Sequence, residues 1–191
     1  KQSQSIEQEN TSKPSRTLLT RAFTHPPSFE PWFVRYPEQE GLLRDLYEGL
    51  TAYDPEGKIV PGIAESWQTK DNKTWIFTLR EGLRWSNGAP LVAQDVMLSW
   101  QALSQSNSPL RSYLAYLNLK NAKGVLEKNK PFKSLGIYAE NDHTLRIELD
   151  KATPYLPEML AHISLVPQYR DPDYPVTNGA YMIESENVKS I

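Results

Sequence analysis

The sequence predicts a mixed α+β fold, and three observations point there. Residues 74–79 alternate strictly, with Trp75, Phe77 and Leu79 on one side and Thr74, Ile76 and Thr78 on the other, the period-two pattern of a half-buried strand. Shortly after, residues 93–103 place Val96, Met97, Trp100 and Leu103 at helical spacing. Fifteen prolines in 191 residues favour extended segments and fixed turns over a helical bundle.

In chain order, residues 1–16 contain one apolar residue, Ile6, among Ser, Gln and Glu. That is too little to offset ordering entropy, and a disordered tether is expected. Residues 17–23 read as a strand, followed by a loop punctuated by Pro26, Pro27 and Pro31. Residues 38–50 carry Leu42, Leu43, Leu46, Tyr47 and Leu50 at helical spacing, with Gly49 as the stop signal. Residues 53–57 form a turn that Asp54-Pro55 opens and Gly57 closes.

The turn chemistry of Asp71, Asn72 and Lys73 makes residues 65–69 the hairpin partner of 74–79. Ser86-Asn87-Gly88 is a second turn, suited to a backbone with positive φ. Trp67, Trp75 and Trp85 require a shared core. Ser108-Pro109 starts a helix carrying Leu110, Tyr113, Leu114 and Leu117. Residues 121–130 read as a short solvated helix, and its lysines as a wet face. Residues 133–139 and 144–149 read as strands about an acidic turn. Residues 154–163 are helical, with Pro154 at the start and Pro157 within the first turn, where a missing N–H is tolerated. Residues 171–175 are a loop.

A net charge of −2 gives no electrostatic case for nucleic acid or for an anionic membrane surface. With no cysteine, disulfides and thiolate-held metals are excluded. No stretch approaches the roughly 20 apolar residues that span a bilayer. The opening Lys1-Gln2-Ser3-Gln4 has no apolar leader, so an exported protein would be present here in processed or trimmed form. His25, His143 and His162 lack metal-ligand spacing. The carboxylate pairs Glu38/Glu40 and Asp171/Asp173 sit in polar contexts that would not push their pKa values apart. Nucleophile elbow, phosphate loop and dinucleotide fingerprint are all missing. The expectation from these features is no catalysis, metal or cofactor.

Four short motifs narrow this further. They are Pro61-Gly62-Ile63-Ala64-Glu65-Ser66-Trp67, Trp75-Ile76-Phe77-Thr78-Leu79-Arg80, Trp85-Ser86-Asn87-Gly88-Ala89-Pro90 and Ala93-Gln94-Asp95. Arg44 to Leu50 and Val176-Thr177-Asn178-Gly179-Ala180-Tyr181 add to them. In order and spacing this set resembles the peptide-binding, extracytoplasmic solute-binding proteins of ABC importers, the oligopeptide-binding-protein family.

The resemblance implies a two-lobed periplasmic-binding-protein fold with an α/β subdomain inserted in the first lobe. By position, 17–46 and 167–191 are first-lobe pieces and 47–166 the inserted subdomain. The opposing lobe is expected to be absent, making this an N-terminal portion. The resemblance also implies a peptide or other small-molecule ligand, a membrane ABC permease as partner, a periplasmic or extracytoplasmic location and a lipid anchor. A peptide would lie extended and pair its main chain with the edge 33–37. The ligand-binding residues implied are Trp32, Phe33, Val34, Arg35, Tyr36, Leu110 and Tyr113.

Three departures from the family pattern are visible. Arg35 stands where peptide binders often carry an acid, which disfavours an α-ammonium and favours an anion. Pro37 removes a donor from the edge. Leu110 replaces an aromatic residue. Some family members bind nickel or haem, which leaves His25 as the least implausible metal ligand. Alternative readings keep the fold with haem or a lipid as cargo, or make the chain a non-transporting module that self-associates through an uncovered face. Against these stand simpler roles: Arg35 as a solvated loop residue, Tyr113 as core packing.

Overall fold

The alternation at 74–79 produces the central strand of the larger core. In chain order the elements are helix α1 (Pro37–Leu46), strands β1 (Thr51–Tyr53), β2 (Ile59–Pro61), β3 (Ala64–Thr69) and β4 (Thr74–Leu79), and helices α2 (Ala93–Gln105), α3 (Tyr113–Tyr116) and α4 (Ala122–Leu126). Strands β5 (Ile137–Asn141) and β6 (Thr144–Glu148) and helix α5 (Leu156–Leu160) follow. The structure, a computed structural model, describes residues 19–23, 28–169 and 175–183. The expected tether 1–16, His25, the loop 171–175 and its pair Asp171/Asp173 lie wholly or mainly outside them.

Strands β3-β4-β6-β5 form one antiparallel sheet in that order, with Trp67 opposite Phe77 and Phe77 opposite Leu145. The expected turn closes the β3–β4 hairpin: Asp71 Oδ1 accepts the N–H groups of Lys73 (2.9 Å) and Thr74 (2.8 Å), and Asn72 is left-handed at φ 57°. Gly88, at φ 85°, occupies the second turn as its Asn-Gly sequence requires. Helix α2 packs on β5 and β6. Its start is held by Asp95, whose Oδ2 accepts from the N–H of Val92 (2.9 Å) and from Trp85 Nε1 (3.3 Å). Trp75, Phe77, Leu79, Leu145 and Ile147 from the sheet bury against Val96, Trp100 and Leu103 of α2. Trp85 joins that core and Trp67 packs on it, so the three tryptophans do share one interior.

A second, smaller core joins Leu43, Leu46 and Tyr47 to Ile163 and Val166, with Phe29, Val34, Leu42, Tyr181 and Ile183 packed against it. A seam connects the two. The carbonyl of Leu46 accepts N–H groups from Asn178 (3.2 Å) and Gly179 (2.8 Å), and that of Asp45 accepts from Tyr181 (3.0 Å). The Asn178 side chain spans the Glu48 backbone, accepting its N–H (3.2 Å) and donating to its carbonyl (2.9 Å). Ser86 and Thr177 close the other end. Gly179 is required there, because a Cβ would lie 2.6 Å from the Asp45 carbonyl oxygen.

Several expectations are corrected. Residues 19–23 form no strand and have no ladder partner among the described residues; Arg21 is held by the Asp45 carboxylate (2.6 Å). Helix α1 stops at Leu46, not at Gly49, because the returning segment takes its last carbonyls and Tyr47 is extended (φ −130°, ψ 140°). The helix over 121–130 closes at Leu126, where left-handed Lys128 (φ 61°) turns the chain back. Lys133 sits in a 3-10 turn (Phe132–Ser134), so β5 begins at Ile137. The helix over 154–163 shrinks to α5, interrupted where His162 caps a 3-10 turn at Ile163–Leu165. Ser108 does cap the helix that follows it, but the first turn is 3-10 (Pro109–Ser112). The turn at 53–57 is present, flanked by the unforeseen β1–β2 hairpin.

Candidate ligand-facing surface

The segment expected to pair with a peptide main chain starts from Pro31. That proline opens a 3-10 turn, Pro31–Phe33, and Pro37 occupies the first turn of α1, where its missing N–H is harmless. Only Val34, Arg35 and Tyr36 lie between them. Gln39, buried in α1, reaches back so that its Oε1 accepts the N–H groups of Arg35 (3.0 Å) and Tyr36 (3.4 Å). The expected edge strand 33–37 is therefore corrected: Phe33 is helical, and the donors at 35 and 36 are already engaged. Two of the main-chain donors that an edge strand would offer are thus unavailable here.

Those side chains divide by exposure. Trp32, Phe33 and Val34 are half-buried, Trp32 against the larger core and Val34 against the smaller. Arg35 and Tyr36 are exposed. The Arg35 guanidinium makes no ion pair among the described residues. Ser108 Oγ joins this segment to the next, donating to the Trp32 carbonyl (2.5 Å) and accepting the Leu110 N–H (3.0 Å). Trp32 and Leu110 are thus brought together. Tyr113 is turned elsewhere: its hydroxyl donates to the Met159 carbonyl (3.1 Å), and its ring stacks on His162 at 4.1 Å. Tyr116, 70% exposed, lies 5.6 Å from Tyr113, ring centre to ring centre.

Electrostatics around this surface follow burial. Burial lowers the pKa of His162 below 6.5, with Glu40 raising and Arg44 lowering it further. His162 Nδ1 accepts the Ser164 N–H (3.2 Å), which puts the proton of the neutral ring on Nε2. Tyr113 is raised, first by burial and then by Tyr116 and Tyr53. Tyr47, whose hydroxyl donates to the Phe29 carbonyl (3.2 Å), is pushed up to about 12 by burial and by Glu30. Among the described residues no cluster of His, Asp and Glu could hold a metal ion, and no helix is long and apolar enough to cross a membrane. Ser108 and His162 escaped the sequence reading as site residues. Ser108 was visible as a helix cap, whereas nothing local marks His162.

Residues 58–190 match the model of the bacterial extracellular solute-binding proteins, family 5, middle region. The chain belongs to that family. A binding protein of Haemophilus influenzae is 58% identical over 181 residues, covering 94% of this chain and 35% of that one. The periplasmic oligopeptide-binding protein OppA of Salmonella typhimurium is 36% identical over 183 residues, covering 89% and 34%. The structure of the Escherichia coli murein tripeptide binding protein MppA superposes with a TM-score of 0.81 at 32% identity, over 85% of this chain and 34% of that one. The chain thus spans about a third of the length of the relatives it matches, and its fold is a part of theirs.

Proposed function

We propose that the chain is part of a periplasmic solute-binding protein that captures peptides and hands them to a membrane ABC permease, without catalysis. The observation that carries this is its superposition on a murein tripeptide binding protein over most of its own length. The relationship to an oligopeptide-binding protein supports the same cargo and compartment. On this reading residues 17–46 and 167–191 are pieces of the first lobe and 47–166 the inserted subdomain, with the smaller core at their junction, where Leu43 and Leu46 meet Tyr47, Ile163 and Val166. A lipid anchor upstream would fit the polar stretch 1–16.

Trp32, Phe33, Val34, Arg35, Tyr36 and Leu110 form one wall of the cleft, and Tyr113, bonded to the Met159 carbonyl and stacked on His162, stands apart from it. Because Gln39 engages the N–H groups of Arg35 and Tyr36, the side chains at these positions carry the contact, and Arg35 selects for a carboxylate on the peptide. Isothermal titration of the full gene product with di- to pentapeptides is expected to give Kd values of about 1 μM or tighter. Arg35→Glu should weaken acidic peptides about tenfold relative to basic ones. A flat titration across the series would remove peptides as cargo, and unchanged preference in the variant would remove Arg35 from the site.

A further inference from the structure

Although the whole chain is slightly acidic, its charge is unevenly spread. Residues 120–133 hold five lysines against one acid, Glu127. The structure turns this run into a closed loop. Its ends are tied by the Gly136 N–H on the Lys120 carbonyl (3.0 Å) and by Asn121 Nδ2 on the Ser134 carbonyl (2.7 Å). Inside, the N–H groups of Asn129 (2.8 Å) and Lys130 (3.0 Å) both bond the Gly124 carbonyl. The Lys130 stem packs over Gly124, within 3.1 Å of where a Cβ would be. Ala122, Val125 and Leu135 anchor the loop in the larger core. Lys123, Glu127, Lys128, Lys130, Pro131, Phe132 and Lys133 are exposed.

Charge compensation is sparse. Lys120 is paired with Glu148 (2.8 Å). Lys130 Nζ bonds the neutral Asn121 side chain (2.6 Å) and makes no ion pair among the described residues. Lys123, Lys128 and Lys133 have no ion pair among the described residues. Phe132, the aromatic residue of the run, stands in sequence between Lys130 and Lys133 and opens the 3-10 turn Phe132–Ser134.

We propose that this loop binds a lipid surface, with Lys123, Lys128, Lys130 and Lys133 on anionic phospholipid headgroups and Phe132 inserted among them. Charge complementarity selects an anionic partner. Phe132, exposed beside the lysines, selects a bilayer, whose interface takes up an aromatic side chain, over a folded acidic protein. Basic residues near an anionic bilayer each strengthen binding, and an adjacent aromatic side chain settles at the headgroup level. The proposal is independent of which solute the protein carries.

The test is co-sedimentation of the chain with vesicles of phosphatidylglycerol and phosphatidylethanolamine, or of phosphatidylcholine alone, at two salt concentrations. Binding is expected to the anionic vesicles only, falling steeply with salt. Lys123→Gln, Lys128→Gln and Lys133→Gln together should reduce it by about a hundredfold, at roughly fivefold per lysine. Phe132→Ser should reduce it several-fold at high salt, where charge is screened. Each variant's thermal midpoint would establish that it is folded. Failure of the chain to bind anionic vesicles, or equal binding by the triple variant, overturns the proposal. So does lysine-dependent retention on a polyaspartate matrix without vesicle binding, which would assign the loop to an acidic protein.

Discussion

The two cores of this molecule are built on different principles. The larger one is made by sequence-local pattern: a strand that alternates, a hairpin turn that sequence alone specifies, and a helix with an apolar face, docked through Val96, Trp100 and Leu103. The smaller one has little local pattern. It exists because a segment more than a hundred residues later returns to cap α1, placing Asn178 and Gly179 on the Leu46 carbonyl. Patterned burial spreads stabilisation over many side chains, whereas a seam concentrates it in a few backbone bonds and one close approach. The larger core should tolerate conservative change and resist local opening; the seam should do neither.

The largest effect tests the patterned core. Phe77 is fully buried at the sheet centre, and Phe77→Ala should cost about 3–5 kcal/mol, the usual toll of emptying such a site. Urea unfolding followed by tryptophan fluorescence would measure it. A smaller but more local loss is expected from Gly179→Ala, whose new methyl meets the Asp45 carbonyl and the Leu46–Tyr47 backbone. Overpacking of this kind costs about 1–3 kcal/mol. Hydrogen exchange should then quicken at Asn178 and Tyr181 while the amides of β4 stay protected. Equal quickening in both places would merge the two cores into one cooperative unit.

The smallest effect concerns His162, which borders both cores and is faced by Tyr113, Ser164, Glu40 and Arg44. Burial holds its folded pKa below 6.5, so the unfolded chain takes up the proton first. The stability its neutral ring contributes is therefore complete above pH 6.5 and is lost as pH falls below that value. His162→Asn keeps an acceptor for the Ser164 N–H and should flatten the change in urea midpoint between pH 7.5 and 5.5.

The same contrast explains what could be read in advance. Strand β4, its hairpin, α2 and the Asn-Gly turn were legible because each is dictated by residues within a few positions. The length of α1 was not, since Gly49 is a good local stop signal and the true stop is imposed by residues 178–181. The site shows the same division. The run from Trp32 to Tyr36 was recognisable by position, but Gln39 folding back onto Arg35 and Tyr36 depends on helix α1 starting at Pro37. Proline in that sequence was equally compatible with an edge strand, and so an edge was expected. His162 joins Tyr113 only through tertiary stacking, which no spacing reveals.

The Leu46–Asn178 contact has a further corollary. The chain leaves α1 and comes back within hydrogen-bonding distance of its point of departure. Changes confined to the intervening stretch leave these two passages of chain in register, provided that Ile163 and Val166 still complete the smaller core.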